Sequence, residues 1–150
     1  MIPALLVACR VLHIASTCTS LGGLFYARMV LWPTLPQLGP ADRDAFLRSV
    51  VRRYAYIKWS GVTIVAATGI VQWIVIWPHV VDRHLYIAYF VVKMGGAVGL
   101  FTITALLVIP SERVDGMRER RAFWSGLNIA CGLLILIGAA LMRTVVKTPL

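Results

Sequence analysis

The stretch Pro3–Leu31, PALLVACRVLHIASTCTSLGGLFYARMVL, decides the fold, because it is apolar over a length that crosses a bilayer and carries His13 near its middle. An imidazole there lacks water to satisfy it, so it requires a partner or a use. Three further stretches meet the same requirement of roughly 20 apolar residues per helical span. The spans are about 3–31, 57–77, 85–109 and 123–142. An open sheet cannot satisfy its backbone in hydrocarbon, so the expected fold is all-α: one integral membrane domain, 1–150, built as a four-helix bundle.

Composition agrees. The 150 residues are 59% hydrophobic and only 14% charged, well outside the usual range for a soluble domain. The net charge of +9 is crowded into short gaps between apolar runs, a distribution that points to anionic lipid headgroups and membrane topology and requires no nucleic-acid partner. Cys9, Cys18 and Cys131 all fall within apolar runs without CxxC spacing, and read as small buried residues rather than a disulfide framework. No positive charge precedes the first run and it is too long for a signal-peptide core, so it reads as a retained span.

The gaps set orientation. Pro33, Pro36, Gly39 and Pro40 are expected to stop the first helix, after which 41–54 resumes helical spacing with Phe46, Leu47, Val50, Val51 and Tyr54 on one face and Arg43, Arg48, Arg52 and Arg53 on the other. This predicts a short amphipathic cytoplasmic helix running into span two. The first and third gaps hold eight Lys and Arg, against three in the second gap and C-terminus, which puts both termini outside the cytoplasm. All five tryptophans fall near span ends, where interfacial tryptophans belong.

With that orientation, depth can be compared between helices. His13 lies roughly 15 Å from the outer end of span one and Lys93 roughly 12 Å from the outer end of span three, at ~1.5 Å per residue. The spans contain no carboxylate to pair with Lys93, and their lack argues against an ordinary proton-coupled transporter. Gly95, Gly96 and Gly99 beside Lys93 provide a small-residue surface suited to close helix packing or to a planar ligand. Ser16, Thr17 and Ser20 continue the His13 face, and Gln72 can join that layer. His79 and His84 lie nearer the surface. A second polar layer, Arg28, Lys58 and Asn128, sits near the cytoplasmic ends, where the long basic chains can snorkel.

Two chemistries compete. Neutral imidazole is the usual axial ligand of haem iron and cationic side chains suit propionates, which makes His13 a candidate metal ligand and Lys93 its companion. Alternatively, Cys9 and His13 stand at i and i+4, and with Met94 as a soft third ligand they would favour Cu(I).

Leu12-His13-Ile14, Gly23-Leu24-Phe25-Tyr26 and Arg28 on span one, Lys93 on span three, and Leu127-Asn128 on span four resemble the HemJ family of bacterial protoporphyrinogen oxidases and its wider relatives, the CopD-type copper-resistance membrane domains. The tail Val145-Val146-Lys147-Thr148-Pro149 is similar too, whereas Ile129 and Ala130 depart from the family's acidic residue and proline, as does Trp59–Thr63 from its span-two proline. The resemblance implies a multi-pass protein of the bacterial inner membrane that binds haem b. His13 and Lys93 would be its essential catalytic pair, with Arg28, Gly96 and Asn128 also at the cofactor. The implied reaction is oxidation of protoporphyrinogen IX to protoporphyrin IX with electrons passed to a quinone or another membrane acceptor. The alternative is a non-catalytic copper-handling protein or an accessory subunit, with a homo-oligomer or a larger membrane complex as its setting.

Overall fold

A computed structural model describes residues 3–108, 116 and 120–147. Four long helices account for most of them: α1 (Pro3–Tyr26), α2 (Pro40–Ile76), α3 (Arg83–Val108) and α4 (Arg121–Thr144). All four are long and apolar enough to cross a membrane. The chain divides into two compact units, Met1–Pro78 and His79–Leu150. Each is a helical hairpin, α1 with α2 and α3 with α4.

The prolines do not end the first helix where the sequence predicts. After Tyr26 the chain widens into a π turn over Ala27–Leu31, where the Trp32 N–H reaches the Ala27 carbonyl. One α turn (Trp32–Thr34) and a 3-10 turn (Leu35–Gln37) follow. Pro33 and Pro36 sit in the opening positions of those new turns, where a missing N–H is tolerated. The amphipathic segment 41–54 is likewise not a separate helix. It forms the first half of α2, which runs unbroken from Pro40 because no proline interrupts the backbone ladder before Pro78.

Within the first hairpin the antiparallel register can be read from its contacts. The Tyr54 ring lies against Gly23 and its hydroxyl donates to the Ser20 carbonyl at 2.9 Å. Farther along, Gly61 faces Ser16 and Ser20, and Gly69 faces His13. Tyr54, Gly61 and Thr68 are spaced seven apart, the repeat that keeps one helix face on a neighbour.

The second hairpin packs more closely. A Cβ at Gly138 would stand 3.0 Å from the backbone nitrogen and 3.1 Å from Cα of Lys93, so only glycine permits this approach of α3 to α4. The loop ends are tied as well. Val80 and Val146 form an antiparallel bridge, with Val81 N–H donating to the Val145 carbonyl at 2.9 Å and Lys147 N–H to the His79 carbonyl at 3.0 Å. Asp82 caps α3 by accepting from the Leu85 N–H at 3.0 Å. Much of the third gap, residues 109–115 and 117–119 with Arg113 and Arg118, and Thr148–Leu150 of the tail lie outside the described residues.

Candidate functional site

His13 is half-buried on the face of α1 that meets α2. Its Nδ1 lies 2.9 Å from the Thr68 hydroxyl, and that hydroxyl lies 2.5 Å from the Ile64 carbonyl one turn back on α2. A carbonyl cannot donate, so the single Thr68 proton belongs to the Ile64 contact and Thr68 accepts from His13. The ring therefore carries a proton on Nδ1. This is the arrangement in which second-shell hydrogen bonding orients an imidazole for metal ligation through its other nitrogen. The ring also rests on Gly69, where a Cβ would come within 3.3 Å of Cε1, so its orientation is set by contact as well as by hydrogen bonding.

A polar seam extends from this point along the hairpin. Thr17 donates to the His13 carbonyl at 2.7 Å, while Ser20 Oγ is buried without a hydrogen-bond partner. Gln72, one turn beyond Thr68 on α2, has Nε2 buried and unpartnered. Arg28, half-buried, lies inside the π turn. Such insertions in helices recur at functional sites, and this one could not be read from apolar spacing.

Lys93, Gly96 and Asn128 belong to the second hairpin. Lys93 is half-buried, its Cβ set against Gly138. It makes no hydrogen bond or ion pair among the described residues. Gly96, expected at a cofactor wall, is covered by the Cys131 carbonyl and Ile135, and Gly99 by the Cys131 sulfur. Of the two uses for this small-residue surface, helix packing claims both positions; the space around Gly95 is open. Asn128, 3% exposed, donates from Nδ2 to the Thr104 hydroxyl at 3.0 Å, and that hydroxyl donates to the Leu100 carbonyl at 2.7 Å. Its Oδ1 has no partner. His79 and His84 are exposed, in the linker and first turn of α3.

Cys9 and His13 fall on one stripe of α1, but among the described residues no third His, Cys, Asp or Glu joins them as a metal-binding group. One residue escapes the sequence reading altogether. Arg10 stands three positions before His13, and the half-buried positions 6, 9, 10, 13, 16, 17 and 20 put both on the same stripe. Tallying basic residues only in the gaps passes over it; its i−3 spacing from His13 is the signal that finds it.

No family model, curated protein or solved structure matches the chain.

Proposed function

We propose that this chain is a multi-pass protein of the bacterial inner membrane, both termini outside the cytoplasm, that binds haem b through His13 and oxidises protoporphyrinogen IX to protoporphyrin IX. The observation that carries the reading is the His13–Thr68–Ile64 chain, which holds the imidazole by Nδ1 as the second-shell bond of a metal-ligating histidine would. A haem held at His13 would supply one-electron redox chemistry there, with a quinone or another membrane component as the electron acceptor.

The protein's own contributions are to hold and to orient. Thr68 and Gly69 fix the His13 ring. Lys93 supplies a cation in an apolar helix with no carboxylate of the chain to neutralise it among the described residues, which suits a propionate or a porphyrin acid group. Arg28 offers a second cation for the same class of group. The resemblance of Leu12-His13-Ile14, Gly23–Tyr26, Arg28, Lys93 and Asn128 to the HemJ family supports the same reaction.

The test is absorbance of detergent-purified protein. A Soret band is expected in the parent and its loss in a folded His13→Ala variant. Absence of the band after haem is supplied would sink the reading. Copper without haem would instead indicate metal handling, and neither together with co-purifying chains would indicate an accessory subunit. Complementation of a strain lacking protoporphyrinogen oxidase tests the reaction, with loss expected in Lys93→Met.

A further inference from the structure

The first hairpin holds a second set of polar groups that ring orientation does not use. Its register runs from Gly23 and Tyr54 through Ser16, Ser20 and Gly61 to His13 with Thr68 and Gly69. Continuing one turn toward Pro3 brings Cys9 and Arg10 of α1 level with Gln72 of α2. Arg10 is half-buried, about 10 Å along the helix from Pro3 at ~1.5 Å per residue, and forms no hydrogen bond or ion pair among the described residues. At the same level Gln72 Nε2 is buried without an acceptor. The hairpin's acids, Asp42 and Asp44, lie at the far end of α2, so no carboxylate of this unit reaches Arg10.

Two donors, one of them charged and half-buried, thus stand at one level of an apolar hairpin without an acceptor among the described residues. Buried donors without acceptors are costly, and a guanidinium is shaped for a two-oxygen anion. We infer that Arg10 and Gln72 form a subsite for the carboxylate of an apolar ligand, one helical turn from His13. The apolar requirement comes from the surroundings, since Val7, Val11 and Leu12 are exposed beside the stripe. Identification of that ligand as a porphyrin rests on the proposed function; the carboxylate does not.

The experiment uses metal-free protoporphyrin IX, which needs no axial ligand, so its outcome is independent of iron binding. Fluorescence titration of the full chain in detergent compares this dicarboxylate with its dimethyl ester, and oleate serves as a second carboxylate. Arg10→Gln is expected to weaken the dicarboxylate about tenfold or more, the scale of one lost charged hydrogen bond. Arg10→Lys should restore most of that loss, and Gln72→Leu should weaken binding by about threefold to tenfold. The ester should bind the parent no better than the acid binds Arg10→Gln. Oleate dependent on Arg10, without porphyrin binding, would uphold the carboxylate subsite and assign it to a fatty acid. Equal affinity for acid and ester with no Arg10 dependence for oleate would overturn the inference. So would displacement of both probes by phosphatidylglycerol with the same Arg10 dependence, which would assign the cation to a phospholipid phosphate. Gel filtration and circular dichroism of each variant separate lost binding from lost fold.

Discussion

The two hairpins solve the same packing problem by different means. In the first, α1 and α2 meet through side chains: the Tyr54 ring lies over Gly23, its hydroxyl reaches Ser20, and His13 reaches Thr68. In the second, α3 and α4 meet chiefly at the backbone, with Gly138 set on the main chain of Lys93 and Gly96 against the Cys131 carbonyl, and the Asn128 to Thr104 hydrogen bond joins them as well. Helices as apolar as these gain little from hydrophobic contact with one another in an apolar setting; polar contacts dominate the first seam and close van der Waals approach the second. The difference matters for function. Along the first seam, polar side chains can exchange a partner for a ligand; at Gly96 and Gly138 the second is closed by main chain.

Putting the same bulk into each seam should separate them most sharply. Gly138→Leu is expected to destabilise the second hairpin by about 3 kcal/mol or more, because the obstruction is backbone and the helices themselves must part. Gly23→Leu should cost less, about 1–2 kcal/mol, because the Tyr54 side chain can swing away at the expense of its bond to Ser20. Denaturation in mixed micelles measures both, and equal losses would erase the distinction.

A smaller effect is expected at Thr68→Val, about 1 kcal/mol from the lost partner of His13. If iron is bound, its Soret maximum or midpoint potential should shift as well, since the second-shell bond orients the ligand. An unchanged spectrum and potential would mean that Thr68 does not set the ring. Smallest of all, Ser20→Ala should fall within about 0.5 kcal/mol of the parent or stabilise it slightly, because the buried Ser20 Oγ has no partner to lose. A loss well beyond that would show that this hydroxyl contributes to the seam.

The four helices were legible because apolar length is a strong signal that survives without any knowledge of contacts. Boundaries were less so. Proline marks where one hydrogen-bonding pattern stops, but a chain can pass to π and 3-10 turns, as it does between Ala27 and Gln37. The unbroken run of α2 shows the converse, since a change from amphipathic to apolar composition between Tyr54 and Ile57 alters the surroundings and not the backbone.

Of the site, His13 stood out because a lone imidazole in an apolar run is rare enough to demand a reason. Its partner Thr68 did not, because a threonine in such a helix usually bonds its own preceding turn, and Thr68 does this too. The glycines beside Lys93 were visible as a surface, but which residues filled it depended on the register with α4. Arg10 gives no signal in a count of basic residues by gap; only its three-residue spacing from His13 marks it.

The bridge between Val80 and Val146 acts on a motion rather than on a contact. Helices meeting at small residues present few knobs along their length, and one can slide past the other by a whole turn, about 5.4 Å, between similar arrangements. Two backbone hydrogen bonds at the ends of α3 and α4 allow only one of those positions. The bridge is thus an axial stop: the height at which Lys93 meets Gly138 is set by a pair of valines beyond the ends of the two helices, one before α3 and one after α4.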